Sequence, residues 1–509
     1  MNRHASLSHD PSDLVGGAWV PIPGSTLVSK NPARPEGVVW SGSPRVEHVE
    51  KAVAAAQAAA LPWAQMGFDA RVRVLRAYQK LASDRVDALT NLIRDEVGKP
   101  TWDAKAEAQL IAGKVDITLE EGPHAAMNRV KGFELSLGPT KSGRCWFRPH
   151  GVMAVIGPFN FPAHLPNGHI IPALAMGNTV VFKPSDKAPA VGQFIAEMFA
   201  DAMDSCHAPA GVFNLVQGGA TVASALTMHD GIDGVLFTGS WEVGRRIMQA
   251  NLDRPGRILA LEMGGNNAAL ILDDADIEQA VTECVRCAFI TAGQRCTCTR
   301  RVIVQRGIAD RVIEQICRQT SALIIGDPAA DHPVFMGPVI SEQARSSIMG
   351  AYSRMAGAAD AKVLIAMRET GERGWYLSPG VLLVDRFVGG TQSGLAGDDV
   401  EVFGPLLRIS IVDSLDEGIA QCNATSFGLA ASLFSRSESA LEQFMLRVRA
   451  GCINWNTGTA GASSKLPFGG LGHSGNHRPA GAFSLDYCAC PIAGMVERSN
   501  ASLKSPGMQ

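Results

Sequence analysis

The 509-residue sequence has no apolar run near the about 20 residues that a membrane-spanning helix needs. Its opening, MNRHASLSHDPSDLVGG, holds no apolar stretch of signal-peptide length, so the expected compartment is the cytoplasm. An excess of charge of one sign is also missing. Lys and Arg number 46 against 49 Asp and Glu, a formal net charge of −3. That balance gives no electrostatic reason to expect nucleic acid or an anionic membrane as a partner. No internal repeat or low-complexity segment is visible, and there is no GxGxxG fingerprint. CVRC at 284–287 looks like half a zinc site, but no second CxxC or HxxxH lies at a suitable distance, so no metal is expected.

Hydrophobic residues make up 46% and charged residues 19%, enough to bury a large core over two or three domains. The eleven cysteines are an odd number and are expected to be reduced thiols, mostly buried. Residues 45–122 carry apolar residues at i, i+3, i+4 spacing and predict a run of helices. From 151 the texture changes to short β-rich runs such as GVMAVIGP, NTVVFKP and GVLFTGS. Helix-like segments at 190–204 and 240–251 lie between them. Such alternation predicts a parallel sheet with helices on both faces. A second series starts at AALILDDADIEQAV and runs to about 445.

TAGQRCTCTRR, 291–301, sets two cysteines one residue apart among arginines. Cys296 or Cys298 can be read as a nucleophile, a metal ligand or a buried thiol; the pair is too close for an ordinary disulfide. Arg295, Arg300 and Arg301 would favour a thiolate if they approach it. Glu262, at the end of an apolar strand in LALEMGGNN, reads either as a salt-bridged edge residue or as a partly desolvated general base. Asn160 in GPFNFP reads either as a turn residue or as an oxyanion donor beside the Cys296 N–H. In FTGSWEVG a strand runs through Gly239 and Ser240 into a helix start that can hold a pyrophosphate. FKPSDK, with Lys183, Ser185 and Asp186, can bind ribose hydroxyls or form a polar turn.

GPFNFP, GNTVVFKPSD, FTGS, LEMGGNN, GQRCTCTRR, EVFGP and PFGG occur in that order. With them the chain resembles the NAD(P)-dependent aldehyde dehydrogenase superfamily over nearly its whole length. The resemblance implies an α/β fold with a Rossmann-type cofactor domain, an α/β catalytic domain and a small oligomerisation strand arm. It implies Cys296 as nucleophile, Glu262 as base and Asn160 as oxyanion donor. Lys183, Ser185 and Asp186 would hold the adenosine ribose, Gly239 and Ser240 the pyrophosphate, and Glu401 the nicotinamide ribose with Phe403 beside it. The implied cofactor is NAD, with NADP possible because Asp186 is shorter than the usual Glu and Lys187 follows it. His169 stands where many relatives have Lys, and reads either as a proton shuttle or as a structural histidine.

The expected organisation is a cofactor domain at 1–130 and 151–262 and an arm at 131–150 and 481–497. A catalytic domain at 263–465 and an active-site-bordering loop at 466–480 complete it. A homodimer or homotetramer is implied. RPHGVMAVIGPFNFPAHLPNGH, GCINWN, FGGLGHSGNHRPAG and DYCACP resemble one branch of the superfamily, whose substrate is the acidic N-succinyl-L-glutamate 5-semialdehyde. Succinic and glutamic semialdehyde are the alternatives, because TGTAGASS at 457–464 departs from the branch. Arg295, Ser463 and Ser464 are the candidate substrate contacts, with His477 or Arg478 further out. A cofactor-free cysteine amidohydrolase would explain Cys296 and Glu262 but leaves FTGS and EVFGP without a role. A non-catalytic binding protein of the same fold is the third reading.

Overall fold

A computed structural model of the chain describes residues 4–371, 373–390, 394–500, 502 and 504–508. Two seven-stranded sheets dominate it. In the first, Ile258–Glu262, Gly234–Thr238, Val152–Ile156, Thr179–Lys183 and Phe213–Leu215 run parallel in that spatial order. The three central strands are buried at every residue, as strands covered on both faces must be. Ser12–Val15 and Ala18–Pro21 close one edge antiparallel. In the second sheet, Gly380–Val384, Leu406–Val412, Thr299–Gln305, Asn267–Ile271, Ala430–Phe434 and Cys452–Trp455 run parallel, and Ala361–Ile365 adds an antiparallel edge. The parallel series therefore runs past 445, to Trp455.

The helical run resolves into Glu47–Gln65, Phe68–Asp84, Val86–Val97 and Thr101–Leu119. Val86–Val97 buries Leu89, Leu92, Ile93 and Val97 along one stripe. It stops at Gly98, whose φ of 81° caps the helix with a hydrogen bond to the Arg94 carbonyl. The N-terminal hairpins, including Leu27–Asn31 with Arg34–Gly42, were not read from periodicity. Ser12–Val15, Ala18–Pro21 and Leu27–Asn31 are only four or five residues long, and Pro35 and Gly37 interrupt the nine-residue Arg34–Gly42.

Strand order places the first site. From Val152–Ile156 the chain winds outward to Phe213–Leu215, then crosses back to Gly234–Thr238 on the other side. The carboxyl ends on either side of such a reversal form a crevice. Gly157–Asn160 and Gly239–Ser240 leave the sheet there. Glu262 ends the neighbouring strand opposite Thr238 and is bridged to Gly475. Phe133–Ser136, Lys141–Arg148 and Cys490–Glu497 form a separate three-stranded antiparallel sheet.

Candidate active site

A cleft of about 870 Å³ is lined from both large sheets. Ten of the residues singled out in sequence line it: Asn160, Lys183, Ser185, Asp186, Gly239, Ser240, Glu262, Cys296, Glu401 and Phe403. Local chain geometry explains how Cys296 arrives there. The helix Ile277–Phe289 ends, and Thr291, Ala292 and Gly293 take left-handed φ values of 55°, 53° and 72°. Non-glycine residues adopt that region rarely. Here the turn is held by Thr291 Oγ1 donating to Asp103 at 2.7 Å. A side chain at 293 would strike the Gly404 carbonyl, so only glycine fits against the EVFGP loop.

Glu262 is 1% exposed, and neither of its carboxyl oxygens has a formed hydrogen bond. The Cys296 thiol approaches the carboxyl without reaching hydrogen-bond geometry. Burial pushes the Glu262 pKa up to about 8; the Glu401 carboxylate adds to the rise and the thiol opposes it. Burial also pushes the Cys296 thiol well above its ordinary value, and the Glu262 and Glu401 carboxylates push it further. Both groups therefore favour their neutral forms, and their titrations are coupled: ionisation of either one opposes ionisation of the other. The flanking arginines do not supply the expected thiolate stabilisation, because each is engaged elsewhere. Arg300 donates to the Gly265, Val402 and Arg295 carbonyls and to Glu401. Arg301 donates to Asn266, Gln421 and Cys422 carbonyls. Arg295 pairs with Asp103 at 2.6 Å.

Cys298 is wholly buried outside the cleft, and its carbonyl accepts from Asn267. Cys284 and Cys287 are buried on the Ile277–Phe289 helix, and no group of three metal-ligating side chains occurs among the described residues. His169 has both ring nitrogens engaged, Nδ1 with Tyr487 Oη at 2.8 Å and Nε2 with Thr238 Oγ1 at 3.1 Å. Tyr487 donates onward to the Pro479 carbonyl, so His169 donates through Nδ1 and accepts from Thr238. Burial lowers its pKa to about 3 and keeps it neutral. This histidine ties Tyr487 to the strand end that faces Glu262.

The opposite half of the cleft suits a dinucleotide. Ser240 caps the Trp241–Ala250 helix by accepting from the Val243 N–H, and the first-turn residues Trp241, Glu242 and Val243 line the cleft, so a helix start borders it. Lys183 is 5% exposed, and burial lowers its pKa to about 8 against the pull of Asp186. Asp186 is more open, and Lys187 Nζ lies 3.9 Å from its carboxylate. Glu401 accepts from the Gly265 N–H at 3.0 Å. A Cβ at Gly264 would overlap the Glu401 carboxylate, and one at Gly265 would strike the Cys296 carbonyl, which accounts for both glycines after Met263. Phe403 meets Phe159 edge to face at 5.9 Å. Buried cation, helix start, carboxylates and aromatic wall thus occupy one cleft with the thiol.

All five candidate substrate contacts lie outside the cleft lining, His477 and Arg478 included, with Arg478 donating to the Gly470 carbonyl at 2.8 Å. Ser463 is exposed and its Oγ accepts from the Lys465 N–H, Ser464 is half-buried in the same loop, and Arg295 is held by Asp103. The cleft also has walls that motif reading missed. Trp241 stacks on His473 at 3.8 Å, Phe427 meets His473 edge-on, and Asp399 pins the 425–426 turn. Trp241 follows the FTGS motif and could have been taken from it; His473 falls in the loop 466–480 expected to border the site, though nothing in that loop singles out its imidazole.

The aldehyde dehydrogenase family model matches residues 19–490. The chain is 41% identical over 501 residues to an N-succinylglutamate 5-semialdehyde dehydrogenase of Paraburkholderia xenovorans, covering 97% of this chain and 99% of that one. A crystal structure of an E. coli NADP-dependent enzyme superposes with a TM-score of 0.88 at 29% identity, covering 96% of this chain and 100% of the other. An NAD-dependent aldehyde dehydrogenase from Sinorhizobium meliloti gives 0.88 at 28% identity, over 98% and 97% of the two chains. With motif order, double-sheet architecture and cleft in agreement, the chain belongs to the aldehyde dehydrogenase family and is an oxidoreductase.

Proposed function

We propose that the chain oxidises N-succinyl-L-glutamate 5-semialdehyde to N-succinyl-L-glutamate with NAD. The observation that carries the chemical part is the meeting of Cys296 and a buried, unpaired Glu262 carboxyl in the cleft that Asn160 also lines. The substrate part is supported by the 41% identity to relatives that bear that name. Cys296, as thiolate, attacks the aldehyde carbon. The Asn160 amide and the Cys296 backbone N–H stabilise the oxyanion of the hemithioacetal. A dinucleotide held by Lys183, Ser185, Asp186, Gly239, Ser240 and Glu401 would supply the hydride acceptor, and loss of hydride from the hemithioacetal carbon would leave a thioester on Cys296. Glu262 then takes a proton from water, whose oxygen attacks the thioester carbonyl. The C–S bond breaks, and the acid leaves. Overall, aldehyde, water and oxidised dinucleotide give carboxylate, reduced dinucleotide and two protons.

Lys183, Ser185 and Asp186 hold the adenosine ribose, Gly239 and Ser240 the pyrophosphate, and Glu401 the second ribose in this reading. Asp186 accepts ribose hydroxyls and repels a 2′-phosphate, so NAD is favoured. Lys187 beside it softens the preference. Absorbance at 340 nm with NAD or NADP and a panel of succinylated, succinic, glutamic and neutral aldehydes tests the whole reading. The expected kcat/KM order puts the succinylated semialdehyde with NAD first. A win for succinic semialdehyde would overturn the substrate, and a win for NADP would overturn the role of Asp186.

A further inference from the structure

Four successive carbonyls around the nucleophile, those of residues 295–298, each accept a hydrogen bond from a buried side chain. The Arg295 carbonyl accepts from Arg300 Nη2 at 2.9 Å. The Cys296 and Cys298 carbonyls accept from the Asn267 amide nitrogen at 2.7 and 2.8 Å. The Thr297 carbonyl between them accepts from Thr459 Oγ1 at 2.7 Å. Arg300 and Thr459 are 1% exposed and Asn267 is 2% exposed, so water does not compete for these bonds. Backbone carbonyls pair mostly with backbone N–H groups, and a run of four taken up by three side chains calls for a reason.

The donors are themselves fixed. The Asn267 amide oxygen accepts from the Ala430 N–H at 3.0 Å, which directs its NH2 group to the two cysteine carbonyls. Arg300 also donates through Nε to Gly265 and through Nη1 to Val402. Thr459 spends its one proton on the Thr297 carbonyl, so it accepts from the Thr299 hydroxyl, 2.8 Å away.

The consequence falls on one N–H. A trans peptide unit is planar, with its N–H opposite its C=O. Holding the Arg295 carbonyl therefore aims the Cys296 N–H, and holding the Cys296 and Thr297 carbonyls fixes the two planes that follow. Arg300 and Asn267 stand on adjacent strands of the second large sheet. Thr459 instead comes from the loop 457–464, outside the cleft lining. Its neighbour Gly458 is tied to the helix Ile277–Phe289 by donating to Glu283 at 2.7 Å.

We propose that Thr459 is a positioning residue for the first half-reaction. Its hydroxyl, together with Asn267 and Arg300, holds the 295–298 backbone so that the Cys296 N–H points at the oxyanion. The inference rests on the thioester mechanism above.

The test compares the wild type with Thr459→Val, Thr459→Ala and Thr459→Ser. Two rates are read at saturating NAD: the pre-steady-state NADH burst, and alkylation of Cys296 by iodoacetamide. The burst is measured with propanal and with N-succinyl-L-glutamate 5-semialdehyde. Valine keeps the shape of threonine without its hydroxyl, and alanine and serine differ by the hydroxyl alone. An NAD-binding titration and the thermal midpoint check the fold of each variant. The burst rate is expected to fall by about 10- to 100-fold in the valine and alanine variants with KM little changed, and serine should recover most of it. Alkylation forms no oxyanion and should change by less than about threefold in every variant. Equal burst rates for alanine and serine would overturn the inference. So would an alkylation rate that falls in parallel with the burst, since the effect would then lie on the thiol and not on the N–H. A wild-type burst with propanal and none with the succinylated compound would sink the substrate reading alone. The alanine-to-serine ratio on propanal would still decide the role of Thr459.

Discussion

Cys296 and Cys298 stand two positions apart and do different work. Cys296→Ala should abolish dehydrogenase activity, whereas Cys298→Ser, at a buried position outside the cleft, should keep most of it. Equal loss in both, measured at 340 nm, would contradict the assignment. Asn160→Ala should cost about 10²–10³-fold in kcat if its amide serves the oxyanion. Glu262 gives the pH dependence its sign. Its pKa is raised to about 8, so below that pH the carboxyl is protonated and cannot take a proton from water. Decay of the thioester should therefore rise with pH and level off above about 8, gaining about tenfold per pH unit on the acid side. A flat profile between pH 6 and 9 would rule Glu262 out as the base. These residues were legible because strand ends and their short loops bring the chemistry into a recognisable local string. The high thiol pKa was not legible. It depends on burial and on carboxylates that come from distant stretches of chain.

The element that presents Cys296 is a left-handed turn pinned from the helix Thr101–Leu119, whose buried face carries Asp103, Glu107 and Lys114. Arg295 belongs to that pin. It donates to Thr291 Oγ1 at 2.8 Å as well as to Asp103, with 15% and 2% of the two paired side chains exposed. Arg295→Ala leaves the buried Asp103 without a cation, with only the Thr291 hydroxyl still donating to it, an expected loss of about 3–5 kcal/mol. Arg295→Ala/Asp103→Ala should lose less than the sum of the two single changes, read by denaturant unfolding. Strict additivity would mean that the pair does not anchor the turn. Sequence could not supply this partner, since Asp103 lies 192 residues away and on a helix whose periodicity announces only burial. Arg295 and Ser463 are candidate substrate contacts by adjacency in sequence, whereas in the fold Arg295 pairs with Asp103 and Ser463 stands outside the cleft lining. Adjacency to a motif says which residues are near in chain, and folding decides where their side chains are spent.

At the scale of the molecule, the helical run and the two parallel series were readable from periodicity and punctuation, while the strand order within each sheet and the antiparallel N-terminal edge were not. The small sheet raises a further expectation. Its outer strand and flanks expose Phe133 at 56%, Leu135 at 56% and Met495 at 64%. An open strand edge with large apolar side chains is a pairing surface. Sedimentation of the wild type should show a dimer or tetramer, and Phe133→Lys/Leu135→Lys should shift it toward monomer. Unchanged sedimentation of that variant would place the interface elsewhere.

Turnover as proposed requires a covalent acyl group carried by Cys296 and released by Glu262. Glu262→Gln, mixed with N-succinyl-L-glutamate 5-semialdehyde and NAD, tests this directly by intact-protein mass and peptide mapping alongside absorbance at 340 nm. The predicted result is about one NADH per active site, followed by a stall with the N-succinylglutamyl group as a thioester on Cys296. Steady turnover without an adduct, an adduct on another residue, or no NADH burst at all would contradict it.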